Sequence, residues 1–88
     1  MASPTVTMYA TGWCPYCARA RALLERKGVA FNEIDVENGA AFRQEMVDRS
    51  GRRTVPQVFI GDRHVGGWDE LSALDTAGEL DSLLARAT

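Results

Sequence analysis

The sequence predicts an α/β fold: a four-stranded mixed sheet, in the order β-α-β-α-β-β-α-α, with helices packed on both faces. Two observations predict it. Short runs of alternating or β-branched residues take turns with stretches whose apolar residues recur at helical spacing. Glycines stand where those helical stretches stop. At 88 residues, 45% of them apolar, the chain is expected to form one domain over residues 1–88.

Residues 5–9 alternate, with Val6 and Met8 on one face, and predict the first strand. A short loop, Ala10-Thr11-Gly12-Trp13, leads to a helix that begins at or just after Cys14. Pro15 suits its first position, because proline lacks the N–H that would be orphaned there. Cys17, Ala20, Leu23 and Leu24 share one helical face, and Gly28 is placed to end the helix in a left-handed conformation.

Residues 29–36 predict a second strand, with Phe31, Ile34 and Val36 as core candidates. Asn38 is placed to cap a second helix running to about Ser50, with Phe42 and Met46 one turn apart and Gly51 as its stop. Residues 57–60 predict the third strand, Gly61-Asp62-Arg63 a hairpin turn, and His64-Val65 a short fourth strand. A helix carrying Leu71 and Leu74 follows Gly66-Gly67. Gly78 interrupts it, and Leu80, Leu83 and Leu84 form the stripe of a last helix. The first β-α-β unit predicts a parallel pair with a right-handed crossover, and the third and fourth strands a hairpin. Together they give the thioredoxin-like architecture.

Charge excludes some partners. The net charge is −2, with acids and bases mixed, and Arg52-Arg53 is too small for a basic patch, so neither nucleic acid nor an anionic membrane is expected as a partner. No apolar run is long enough for a membrane span. Met1-Ala2-Ser3-Pro4 lacks a basic region followed by an apolar one, so a cytoplasmic location is expected.

The chemistry is carried first by two cysteines, Cys14 and Cys17. A disulfide stabilises mainly by closing a long loop, and a bridge between these two closes almost none. In a reducing compartment such a pair reads as metal-binding or catalytic. A closed zinc site needs four ligands, and the chain adds only His64, so no metal is expected. At a helix N-terminus, unpaired N–H groups and the helix dipole favour thiolate over thiol. That placement makes Cys14 the nucleophile. Cys17, one turn further in and facing the core, is the resolving residue, and Tyr16 projects beside the sulfur. His64 reads as a surface residue on an exposed strand.

Two further segments have competing readings. Thr54-Val55-Pro56 precedes the third strand. Pro56 is either an ordinary strand-initiating proline with a trans bond, which the sequence alone favours, or a cis-proline that turns the Val55 backbone outward. Gly66-Gly67-Trp68-Asp69 is either a turn whose acids complement a helix dipole, which the sequence alone favours, or a close-approach anion site with Asp69 holding an ammonium.

Taken jointly, Cys14-Pro15-Tyr16-Cys17, Arg53-Thr54-Val55-Pro56-Gln57 and Gly66-Gly67-Trp68-Asp69 resemble the dithiol glutaredoxins, in particular the small bacterial type. The resemblance implies a cis Val55–Pro56 bond and a glutathione groove formed by the three motifs. It gives Cys14 the mixed disulfide with glutathione and lines the groove with Tyr16. Val55 and Pro56, flanked by Thr54, would meet the cysteinyl unit. Gly67, Trp68 and Asp69 would meet the γ-glutamyl end, and Arg43 the glycine carboxylate. Thr11 occupies the groove position where the family usually has a lysine, which removes a cation. Trp13 is reminiscent of thioredoxins. Trp68 either packs beside Cys14 and narrows the groove or covers the edge of the core.

The implied activity is glutathione-dependent thiol–disulfide exchange by a monomer. Glutathione is the co-substrate, and glutathionylated or disulfide-bonded proteins, ribonucleotide reductase among them, are the partners. Two alternatives share the motif: a redoxin reduced by a flavoprotein thioredoxin reductase, and a dimer holding a [2Fe–2S] cluster with glutathione.

Overall fold

The computed structural model describes residues 5–85. The Met1-Ala2-Ser3-Pro4 segment read above lies outside the described residues. The elements follow the expected order: β1 (Val6–Ala10), α1 (Pro15–Arg26), β2 (Asn32–Asp35), α2 (Ala40–Ser50), β3 (Gln57–Ile60), β4 (Arg63–Gly66), α3 (Trp68–Thr76) and α4 (Glu79–Ala85). The four strands form one sheet in the order β2-β1-β3-β4. β1 and β2 are parallel, whereas β3 runs antiparallel to both β1 and β4.

The period-two pattern of β1 and β3 divides the interior in two. Val6, Met8 and Ala10 of β1 and Val58 and Ile60 of β3 face one layer. There they meet Cys17, Ala20, Leu23 and Leu24 of α1, Leu71 of α3, and Leu80 and Leu84 of α4. Tyr9 and Phe59 face the other layer with Val36 and Met46, the residue that α2 buries. On this second side the Tyr9 hydroxyl donates to the Glu45 carboxylate and accepts from Arg49 Nη1 at 2.9 Å. The Arg49 guanidinium lies 4.1 Å from the Phe59 ring centre. These contacts fasten α2 to the sheet.

Several boundaries differ from the sequence reading. β2 starts at Asn32 rather than residue 29, because it is an edge strand that among the described residues pairs with β1 alone, whose first partner in that register is Thr7. Gly39, not Asn38, precedes the first turn of α2. Asp35 organises the chain there: its Oδ1 accepts from the Glu37 N–H at 2.9 Å and its carbonyl from the Asn38 N–H at 3.1 Å. Phe42, a turn before Met46, stays 41% exposed, lying over the side-chain-free Gly39. Gly28 and Gly51 both adopt φ of 72° at helix ends, as expected.

The register decides where chemistry collects. Tyr9 of β1 pairs with Gln57 of β3, and Val58 pairs with Gly66 of β4. The exit of β1, the entry of β3 and the exit of β4 therefore lie at one end of the sheet. These are the three segments that the sequence singled out.

Candidate functional site

Cys14 is the N-cap residue of α1, with extended φ and ψ of −81° and 123°, and Pro15 occupies the first helical turn. Its carbonyl already accepts the Ala18 N–H at 3.0 Å. Pro15 offers no N–H, so the free donors of the first turn are those of Tyr16 and Cys17. Both favour the ionised form of the Cys14 sulfur. Partial burial works against ionisation of Cys14, but the Cys17 N–H, the Cys17 thiol and the Tyr16 N–H outweigh it and lower the pKa. Cys17 behaves in the opposite way. Burial, reinforced by the neighbouring Cys14, pushes its thiol up to about 11 against partial relief from Thr11. Both cysteines are free thiols, Cys14 half-buried and Cys17 fully buried. One sulfur is thus disposed to ionise at the surface while its neighbour holds its proton in the core.

The Val55–Pro56 bond is cis. The Val55 carbonyl oxygen lies 3.9 Å from Cys14 Sγ. Gln57, fully buried behind this segment, donates through Nε2 to the Thr54 carbonyl at 3.0 Å and to Thr54 Oγ1 at 3.2 Å. Its Oε1 is 2.7 Å from His64 Nε2. His64 is therefore not the surface residue expected. It is half-buried, stacked on Phe59 at 4.9 Å between ring centres, and burial followed by the charge of Arg52 lowers its pKa.

The turn from β4 into α3 closes the site. Gly66 has φ of 123°, and Gly67 is the N-cap of α3. Glu70 Oε1 accepts from the Gly67 N–H at 2.8 Å and from Arg52 Nη1 at 2.7 Å. The Gly67 N–H, followed by Arg52, holds the Glu70 carboxyl below its usual range.

These segments line a cleft of about 290 Å³, formed by Tyr16, Arg52, Thr54, Val55, Pro56, Gly67, Trp68, Asp69 and Glu70. Seven of the nine were singled out from the sequence. Trp68 lines the cleft and packs against the main core, as the core-covering reading expected. Two nominated residues lie elsewhere. Thr11 is buried to 1% exposure, beside Cys17. Arg43 points its Nη1 to the Arg53 carbonyl at 3.3 Å and does not line the cleft. The cation that does is Arg52, and sequence reasoning missed both it and Glu70. The signal for Glu70 was its place three residues after Gly67, where a side chain reaches back to the N-cap N–H. Trp13, 72% exposed, donates its indole N–H to Glu37.

A half-buried sulfur disposed to ionise, backed by a buried thiol and beside a cleft offering backbone polar groups, a cation and acids, is equipped for thiol–disulfide exchange with a small polar ligand. The chain is similar to known proteins in sequence and fold. The glutaredoxin family model matches residues 6–65. Glutaredoxin 3 of Escherichia coli K12 is 56% identical over 79 residues, which cover 90% of this chain and 95% of that protein. The solution structure of a glutaredoxin from Brucella melitensis has a TM-score of 0.85 at 53% identity, covering 100% of this chain and 96% of that one. The crystal structure of a buckwheat glutaredoxin–glutathione complex has a TM-score of 0.87 at 28% identity, covering 96% of this chain and 79% of that one. The chain's function is accordingly a redox function of the glutaredoxin type, on a thioredoxin-like fold, and the chain belongs to the glutaredoxin family.

Proposed function

We propose that this chain is a dithiol glutaredoxin of the small bacterial type, a single domain that works as a monomer in the cytoplasm with glutathione as co-substrate. The observation that carries the reading is Cys14, held at the N-terminus of α1 with N–H donors on its sulfur and the Val55 carbonyl 3.9 Å away. The glutathione in the buckwheat complex supports the choice of thiol.

In this reading the Cys14 thiolate attacks the glutathione sulfur of a protein mixed disulfide. The protein leaves as a thiolate and takes up a proton. A second glutathione thiolate then attacks the glutathione sulfur bound to Cys14, releasing oxidised glutathione and restoring Cys14. With protein disulfides, Cys17 loses its proton and displaces the substrate from Cys14. Two glutathiones reduce the resulting Cys14–Cys17 bond. A leaving thiolate needs no separate acid catalyst when its own pKa is low.

The cleft suits glutathione piece by piece. Val55 offers backbone groups to the cysteinyl unit, and Thr54, Pro56 and Tyr16 wall it. Gly67 and Trp68 sit at the start of α3, where backbone N–H groups attract a carboxylate, and Asp69 supplies an anion for the ammonium. Arg52 supplies the cation for the remaining carboxylate. The test is a coupled assay with NADPH, glutathione reductase, glutathione and a small mixed disulfide. Turnover dependent on Cys14 supports the reading. Turnover with a flavoprotein thioredoxin reductase but none with glutathione overturns it, as does a visible-absorbing iron–sulfur dimer lacking reductase activity.

A further inference from the structure

Thr11 lies between β1 and α1, and its side chain is almost wholly buried. Its hydroxyl oxygen has no hydrogen-bond partner among the described residues. A buried hydroxyl left unpaired is costly, so its retention asks for a state in which it is paired. Cys17 is fully buried on the first turn of α1, and Thr11 is among the groups that act on its thiol. The Thr11 N–H and hydroxyl each favour the ionised form of the Cys17 sulfur. A thiol is a weak acceptor, whereas a thiolate is a strong one.

We infer that Thr11 is a positioning residue for Cys17, whose hydroxyl waits unpaired beside the thiol and donates to the sulfur when Cys17 ionises to close the disulfide with Cys14. The inference rests on the part of the proposed function that makes Cys17 the resolving residue, and it is independent of glutathione. The chemistry balances. Cys17 gives its proton to solvent, and its sulfur lone pair attacks the Cys14 sulfur of a mixed disulfide. The bond to the outgoing sulfur breaks, and that group leaves as a reduced thiolate. Among the described residues, the titratable groups that act on Cys17 are Cys14 and Arg21, both on its own helix. The cluster that Cys17 shares with β1, β3, α3 and α4 is apolar. Thr11 is thus a donor reaching it from outside α1.

The test uses an aromatic disulfide, 5,5′-dithiobis(2-nitrobenzoate), whose leaving thiolate is coloured. Cys14 releases one coloured thiolate on labelling, and attack by Cys17 releases the second. Losing one charge-assisted hydrogen bond raises a thiol by about one pKa unit. The thiolate then falls about tenfold while its nucleophilicity rises about threefold. In Thr11→Val the second phase is therefore expected to slow about threefold at neutral pH. The gap should close as the pH approaches the Cys17 range near 11. Thr11→Ser should restore the wild-type profile. Thr11→Ala, which cannot donate and adds no bulk, gives the same readout should valine disturb folding. A second phase at wild-type speed in both non-donating variants overturns the inference, as does equal slowing at every pH with no rescue by serine. Failure of the glutathione-coupled assay alone contradicts the glutathione reading and leaves this phase to be read on its own.

Discussion

The sulfur of Cys14 faces the carbonyl oxygen of Val55 at 3.9 Å, across 41 positions of sequence. Strand pairing produces this meeting. Tyr9 opposite Gln57 fixes how far the exit of β1 lies from the entry of β3, and the cis Val55–Pro56 segment sits in the remaining gap. The nucleophile and the backbone groups placed for its partner are thus held by the sheet rather than by a mobile loop.

The cysteines should separate by role. Cys14→Ser is expected to abolish reduction of both mixed and protein disulfides. Cys17→Ser is expected to retain most of the activity on a glutathione mixed disulfide and to lose that on protein disulfides. Parallel assays on the two substrates check this, and equal loss in both would contradict the assignment.

Arg52 is expected to act on binding rather than on chemistry. Its guanidinium is about half exposed and shared with Glu70, so its contribution is discounted for solvent. Arg52→Ala should raise the KM for the glutathione substrate roughly five- to tenfold, with a smaller effect on kcat and a weaker effect at high salt. Arg43→Ala should change KM less, because Arg43 turns toward the Arg53 carbonyl.

Gly66→Ala should destabilise the fold. The residue has φ of 123°, and an added Cβ would lie 2.5 Å from Glu70 Oε1 and 2.9 Å from its Cγ. The cost is about 1–3 kcal/mol, or roughly 4–8 °C in Tm for each kcal/mol. Gly67→Ala meets the Pro56 carbonyl at 3.2 Å and Glu70 Oε1 at an ordinary 3.7 Å, with an ordinary φ of −89°, and should cost less. Thermal unfolding of the two variants checks the order.

Stability of the reduced protein should depend on pH with opposite signs at the two sulfurs. Cys17 has a folded pKa raised from 9.0 to about 11 by burial first. The native state therefore binds more protons than the unfolded one in that window, and this stabilisation is lost as the pH rises from 9 to about 11. Tyr9, raised by burial and then by Glu45, adds to the alkaline loss. Cys14 is lowered, so its contribution is present above the ordinary thiol value and fades as the pH falls through its folded value. Unfolding from pH 7 to 11 should show Cys17→Ala flattening the alkaline side and Cys14→Ser the other.

Much of the fold was legible because its signals are local. Alternation in β1, the Cys17-Ala20-Leu23-Leu24 face of α1 and the glycines at 28 and 51 each act through neighbouring residues. The misread features depend on contacts distant in sequence. β2 is short because its partner among the described residues is the short β1, and His64 is drawn inward by Gln57 and Phe59. The isomer at Pro56 is set by the surrounding fold, and residue identity alone favoured the other one. In the cleft, backbone-forming positions such as Val55 and Gly67 followed from the motifs. Which arginine lines the cleft depends on where the chain between α2 and β3 runs, and that favours Arg52 over Arg43.

The most direct measurement is the rate of iodoacetamide alkylation of Cys14 in the Cys17→Ser protein and in the wild type, followed across pH by mass spectrometry. Cys14 is expected to reach half its maximal rate below the ordinary thiol value, with Cys17 of the wild type unmodified under the same conditions. A Cys14 profile matching that of free cysteine, or modification of both sulfurs together, would contradict the division between an ionised surface sulfur and a protonated buried one.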